Sequence, residues 1–232
     1  MSQYDAPDWQ RVVTTVTAAG VSTDAPDWQR VVVGPSGAPV GGGGGGGDGR
    51  ATPAAFGWTG WTAALVDVTN SDHAANIRDV ALAQFVAPSA LTVSNVTWYC
   101  TTAGSGFVAD HNYVGIYLAT VSGMTVTALD LVASSAAGAA DNAWTVAGFT
   151  AVPLSASYKM TSGDVYYLAQ LWDSGSSSSR PYFGSAGITS GLEPSGMPWA
   201  WVQTGNATTS LPSSLTPSSL SLTGDLFFVA TS

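Results

Sequence analysis

Charged residues are scarce in this chain of 232 residues: they make up 9 %, against roughly 25 % in ordinary soluble proteins. Lysine and arginine together number six, and the only lysine is Lys159. Nucleic acids and anionic membranes are bound by clustered basic side chains, which displace counterions from phosphates. With a net charge of −9, the sequence excludes a nucleic-acid partner and binding to an anionic membrane surface.

Cysteine and long apolar runs are also nearly missing. Cys100 is the one cysteine, so it has no partner within the chain, and its apolar context, LTVSNVTWYC, predicts a buried strand residue. No stretch approaches the length of a membrane span. The first twenty residues contain Asp5 and Asp8 and lack the apolar core of a secretory signal peptide. We therefore expect a protein made in the cytoplasm, without insertion into a membrane.

Residues that perform catalysis are few. The only glutamate is Glu193, and the two histidines each follow an aspartate, as Asp72 with His73 and Asp110 with His111. A carboxylate beside an imidazole suits a divalent ion, but the dipeptide is common by chance and predicts no metal site. The serine-hydrolase pattern GxSxG does not occur. We expect no enzyme and no cofactor, with a glycosidase that uses two loop aspartates as a weaker alternative.

The chain divides into three zones. The nine residues DAPDWQRVV occupy positions 5–13 and again, letter for letter, positions 24–32. Residues 41–49 read GGGGGGGDG, and a polyglycine run behaves as a flexible tether because it has no side chain to pack. The sequence predicts an extended attachment arm over 1–40, a linker over 41–49 and one folded domain over 50–232.

The third zone alternates apolar and polar residues over short runs separated by Gly, Ser, Asp and Thr, which is typical of half-buried strands. No window has a sustained helical period, and the best, around residues 72–75, predicts only a turn. We expect an all-β fold, a jelly-roll-like antiparallel β-sandwich preceded by the extended arm. The predicted strands are 62–68, 80–86, 91–100, 113–121, 124–132, 143–147, 165–172, 198–202 and 226–231.

One pair of these strands predicts a β-hairpin that turns at Ser122 and Gly123. Strict alternation would place the apolar residues of both strands on one shared face. The residues expected to meet there are Val114, Ile116 and Leu118 from the first strand and Met124, Val126 and Ala128 from the second.

Each copy of the repeat has the parts of a docking peptide. Proline pushes the preceding alanine toward an extended conformation, the aspartates cap turns, and tryptophan, arginine and a Val-Val pair supply anchors and a strand edge. Ten residues separate the copies, so two pockets within roughly 35 Å can be occupied at once. Packing of both copies on the chain's own β-domain is the alternative. The predicted partner-binding residues are Asp5, Pro7, Asp8, Trp9, Arg11, Asp24, Pro26, Asp27, Trp28 and Arg30.

This arm and its glycine-rich tether, about residues 4–47, resemble the start of minor tail proteins of tailed phages that infect actinobacteria. The Ser/Thr/Gly-rich zone that follows is similar in architecture to phage fibre modules. The resemblance implies a virion structural protein, a homotrimer assembled in the host cytoplasm, whose arm binds tail or capsid proteins and whose β-domain serves host attachment. The chain is short for a tail fibre and has no coiled-coil section, so a capsid decoration or head-fibre protein is an alternative.

A carbohydrate-binding module for host cell-wall glycan is a further hypothesis. Aromatic rings present an apolar face on which a sugar ring stacks, and Asp173 and Asn206 lie near enough in sequence to supply hydrogen bonds. In the competing interpretation, Trp199 and Trp201 share one face and fill the core or a subunit interface. The candidate glycan-binding residues are Trp58, Trp61, Arg180, Tyr182, Trp199 and Trp201.

Overall fold

Short apolar stretches separated by glycine and serine form strands throughout the part of the chain that the computed structural model describes. These residues are 57–62, 69–73, 77–175, 181–187, 197–198, 200–203, 209–222, 225–227 and 229–232. The predicted arm, the linker and nearly all of the predicted strand 62–68 lie outside them. The predicted site residues Arg180 and Trp199 also lie outside the described residues, as does Asn206.

Fourteen strands are described, and the one helical element among the described residues is a 3-10 turn, Pro217–Ser219. The strands are β1 Gly60–Trp61, β2 Thr69–His73, β3 Val80–Val86, β4 Leu91–Thr102, β5 Tyr113–Ser122, β6 Thr125–Ser134, β7 Gly148–Met160, β8 Val165–Leu171, β9 Tyr182–Gly187, β10 Ala200–Gln203, β11 Ser214–Leu215, β12 Ser221–Leu222, β13 Asp225–Phe227 and β14 Val229–Thr231.

The strands form two antiparallel sheets. The first has the order β1-β14-β4-β9-β13, with β2 paired to β9 and β7 paired to β4. The second has the order β11-β6-β5-β8-β3-β10-β12. The prediction of an all-β antiparallel sandwich is confirmed for the described residues.

The main core lies between the two sheets. Its centre is a group of large aromatic side chains: Phe183 of β9 packs edge-on against both Trp98 and Trp144, with ring centroids 5.7 Å apart in each pair. Cys100 lies in the same cluster and is fully buried, as the sequence predicts. Burial of these aromatic rings stabilises the fold, since each removes a large apolar area from water.

The outer face of the second sheet is covered as well. Val80, Leu82, Tyr117 and Tyr167 belong to a second apolar cluster that is separate from the main core and includes Leu211. Successive side chains of β3 and β8 point alternately into the main core and into the second cluster. Burial on both faces explains why β3 reads VALAQFV, an almost continuous apolar run.

Hydrogen bonds attach the covering segments to this face. Tyr117 donates from its hydroxyl to the carbonyl of Pro212 at 2.7 Å, and Tyr167 donates to the carbonyl of Pro198 at 2.8 Å. The Trp201 ring stacks on Tyr167, with centroids 5.1 Å apart and an interplanar angle of 19°. These contacts place residues 197–198 and 211–213 over the second sheet.

The predicted secondary structure is wrong at several points, and strand β9 Tyr182–Gly187 was not predicted. Residues 143–147 form turns and bends and no strand, and Trp144 enters the main core from this loop. Residues 72–73 belong to strand β2 where a turn was expected. The 13-residue strand β7 was not predicted, because it contains Pro153 and is irregular where it pairs with β4 between Val93 and Asn95.

The predicted hairpin exists, but its facing residues differ. Ser122 pairs with Thr125, so the turn lies at Gly123 and Met124, and Gly123 has the left-handed φ of 62°. Register shifts in the β5–β6 pairing interrupt the alternation. Val126 consequently packs in the second cluster with Tyr117, whereas Val114 and Ile116 face the main core, and Met124 is 65 % exposed.

Candidate functional site

Aromatic side chains come together on the outer face of the first sheet. Tyr99 alternates along β4 with Trp98 and Cys100, both of which are in the core, so Tyr99 points to the opposite face. Phe149 of β7 pairs directly with Tyr99 and therefore shares this face. Their ring centroids are 4.6 Å apart, tilted by 33°.

Two tryptophans extend this group toward β1. Trp58 is buried and packs edge-on against Phe149, with centroids 4.8 Å apart. Trp61 of β1 pairs with Ala230 of β14, and Ala230 pairs with Thr97 of β4. The side chain of Thr97 points away from the core, because the next residue, Trp98, points into it. Trp61 thus lies on the same outer face, and we call Trp58, Trp61, Tyr99 and Phe149 the aromatic platform. Phe149 is 40 % and Trp61 38 % exposed.

Two hydroxyl groups on this face of β4 are buried without a hydrogen bond. Thr97 and Thr101 flank Tyr99 at alternate positions, and neither Oγ1 atom has a partner among the described residues. Thr97 is 2 % exposed, and its neighbours across the sheet are Ala230 and Ala151. A buried hydroxyl without a partner costs about 1 to 3 kcal/mol, and because protein atoms cover both oxygens, a ligand on this face would not contact them.

The strands that form the platform are almost uncharged. Strands β1, β4 and β14 contain no charged residue. Strand β7 contains one, Lys159, which lies near the end of the strand opposite to Phe149. A molecule bound here would meet aromatic rings, small side chains and neutral hydroxyls. The chemistry of this face therefore suits an uncharged ligand.

A second group of functional side chains surrounds Asp173, two residues beyond the end of strand β8 at Leu171. Arg78 contacts Asp173 Oδ2 through Nε at 2.8 Å, and His111 Nδ1 lies 2.9 Å from the same oxygen. The backbone N–H of Gly175 donates to Oδ1 at 3.0 Å. Burial alone would raise the pKa of the Asp173 carboxyl, but the hydrogen bonds from Gly175, His111 and Arg78 outweigh this effect and lower the pKa.

Asn112 joins this group to a neighbouring loop. Its side-chain carbonyl accepts from the backbone N–H of Asp173 at 2.8 Å, and its amide donates to Asp141 Oδ1 at 2.9 Å. Asp141 also accepts from the backbone N–H of Asp110 at 2.9 Å. Arg78 and Asp110 are the two non-glycine residues with positive φ in the described ranges, both at 62°. The network holds strained backbone in place at this end of the sandwich.

The Asp173 group is best understood as an anchor for loops. In catalytic triads a carboxylate also orients a histidine, which acts on a nucleophile. Here one oxygen of Asp173 contacts both Arg78 and His111, so the carboxylate joins two separate segments of the chain. No cluster of three or more His, Cys, Asp or Glu side chains able to hold a metal occurs in the described part of the chain. The geometry joins residues 78, 111–112, 141 and 173–175 into one rigid unit.

The structure places the predicted glycan-binding residues at different locations. Trp58 and Trp61 belong to the aromatic platform, Tyr182 lies on β9 opposite Thr102, and Trp201 is 5 % exposed on the covered face of the second sheet. Asp173, expected to offer hydrogen bonds to a sugar, is fully buried and bonded within the protein. The arm residues lie outside the described ranges.

Sequence reasoning missed Tyr99 and Phe149. Tyr99 was detectable, because the alternation in LTVSNVTWYC places it opposite Trp98 and Cys100. Phe149 was not, because its strand was not predicted.

Comparison of the chain with protein-family models and with curated proteins gave no match. No helix among the described residues is both long and apolar enough to cross a membrane.

Proposed function

We propose that this chain is a structural protein of a phage virion, attached to the particle by residues 1–40 and presenting its β-sandwich toward the host surface. The observation that carries the proposal is the exact duplication of DAPDWQRVV ahead of a polyglycine tether. A flexible connection is useful when the two ends of a chain bind different things. The residues proposed to hold the particle are those of the repeats, with Trp9 and Trp28 as the central anchors.

The composition of the β-sandwich supports this proposal. Its strands are rich in serine, threonine and glycine, and charged residues make up only 9 % of the chain. A surface with few charges is explained if part of it is buried between subunits, so we propose a homotrimer.

A capsid decoration or head-fibre protein is the second candidate, favoured by the short chain, and it differs only in which particle protein receives the arm.

The test is capture of virion proteins by the arm. Residues 1–40 fused to an inert carrier are incubated with purified virion proteins, beside fusions with Trp9→Ala, Trp28→Ala or both substitutions. We expect one tail or capsid protein to be captured, and the double variant to lose far more binding than either single variant. Thr15→Ala with Thr17→Ala, in the spacer between the repeats, is the matched control.

The identity of the captured protein then decides between the two candidates. A tail protein supports the minor tail assignment, and a capsid protein supports the decoration or head-fibre assignment. If the arm captures nothing, and the β-domain without residues 1–49 is less stable than the full chain, the repeats are part of the domain's own fold and the proposal fails.

A further inference from the structure

We infer that the aromatic platform binds a neutral polysaccharide chain, which stacks on the exposed rings of Phe149 and Trp61. This inference goes beyond the attachment role of the arm and does not depend on it. It begins from exposure: Phe149 and Trp61 keep 40 % and 38 % of their surface accessible, whereas Trp58 beside them is 8 % exposed. Aromatic faces in water are suited to the apolar face of a sugar ring.

The Phe149 ring is held in a fixed orientation. Tyr99 packs against it at 4.6 Å and Trp58 meets it edge-on at 4.8 Å. The backbone beneath is rigid, because Tyr99 and Phe149 are directly paired between β4 and β7. A ligand that stacks on this ring does not have to immobilise it, which lowers the entropic cost of binding.

The platform is too long for a single sugar. Strands β1, β14, β4 and β7 are consecutive neighbours, since residues 96–98 of β4 pair with β14 and with β7 at the same time. Three strand spacings separate the backbones of Trp61 and Phe149, which is roughly 14 Å. That span favours a polymer whose successive rings reach both aromatic residues.

The absence of charge and the exposed rings together indicate a neutral polysaccharide as the ligand. No charged side chain lies on β1, β4 or β14, and the chain's net charge of −9 repels anionic polymers. Stacking on the exposed rings of Phe149 and Trp61 requires a ligand with apolar ring faces, which sugar rings present between their hydroxyl groups.

The experiment measures binding of the full chain to a panel of soluble neutral polysaccharides, namely a glucan, a mannan, a galactan and an arabinan, by affinity electrophoresis. Polygalacturonate is the anionic comparison. We expect retention by at least one neutral polymer and none by polygalacturonate. Trp61→Ala and Phe149→Ala should each weaken retention about tenfold. Met124→Ala and Leu222→Ala, both at positions that are 65 % exposed and belong to the second sheet and its turns, should change nothing.

Phe149→Leu guards against a folding artefact, because it keeps an apolar side chain and removes only the ring. It should lose as much retention as Phe149→Ala while its thermal unfolding stays near that of the parent chain.

The inference is overturned if no neutral polymer is retained, or if the control variants lose retention equally. It is also overturned if the platform variants change only the sedimentation of the protein, because the face would then be an interface between copies of the chain. Failure here leaves capture by the arm unaffected, so the two proposals are tested separately.

Discussion

The Nδ1 atom of His111 lies 2.9 Å from Oδ2 of Asp173, the oxygen that Arg78 Nε also contacts at 2.8 Å. The carboxylate is fully buried, whereas the Arg78 and His111 side chains are 37 % and 30 % exposed. Three segments that are far apart in sequence are therefore fixed at one buried point. Stability at this end of the sandwich should depend on the charge of Asp173.

Replacing that charge should destabilise the fold. We expect Asp173→Asn to lower the free energy of unfolding by about 2 kcal/mol, since breaking a buried ion pair costs more than this and the partly exposed partners recover some solvation. Urea denaturation followed by tryptophan fluorescence measures the change. Asp130→Asn removes an exposed carboxylate of β6 and should stay within about 0.5 kcal/mol. Equal effects of the two substitutions would contradict the role of Asp173 as an anchor.

The same carboxylate should make stability depend on acid. Because folding lowers the pKa of Asp173, its contribution is complete above the ordinary aspartate pKa of about 3.9 and is lost as the pH falls from there through the lower folded-state pKa. We expect the urea midpoint of the parent chain to fall more steeply below about pH 4 than that of Asp173→Asn. Parallel pH profiles of the two proteins would show that Asp173 is not responsible.

These residues show what the sequence could and could not predict. The bounds of strand β3 were predicted to the residue, because the apolar run VALAQFV lies between Asp79 and the Ala87-Pro88 pair, although its burial on both faces was not predicted. The Asp173 network was not predicted, since it joins residues 95 positions apart, Arg78 and Asp173, through loop geometry that no local pattern encodes. Val114, Ile116 and Leu118 share one face as predicted, but Val126 of the second strand lies on the other, because a shift of one residue reverses every side chain beyond it.

Cys100 should be unreactive in the folded protein. Burial raises the pKa of its thiol to about 11, although hydrogen bonds to the backbone at Thr102 and Tyr182 partly oppose this. The thiolate is the reactive form, so a thiol reagent at pH 8 should label the native chain very slowly and the urea-unfolded chain completely. Mass spectrometry of both samples measures the label, and rapid labelling of the native chain would contradict the burial of β4.

The cover on the second sheet should loosen when its hydrogen bond is removed. Tyr117→Phe leaves the ring in the apolar cluster but deletes the donor to Pro212 at 2.7 Å, which should lower the free energy of unfolding by about 1 kcal/mol. Limited proteolysis should cleave within residues 209–222 faster than in the parent chain. Tyr113→Phe is the control, because its hydroxyl bonds to Asp110 in an exposed contact. Unchanged cleavage in Tyr117→Phe would mean that other contacts hold the segment.

The central claim, attachment by the repeated arm, is tested most directly in the assembled particle. Under the proposed function, particles of a phage carrying the chain with Trp9→Ala and Trp28→Ala are compared with particles carrying the unaltered chain, and the copies of the chain per purified particle are counted by quantitative mass spectrometry. We predict that the double variant is made in folded form in infected cells and is lost from the particle. If the variant is incorporated at the parent level, the repeats do not attach the chain and the proposal is contradicted.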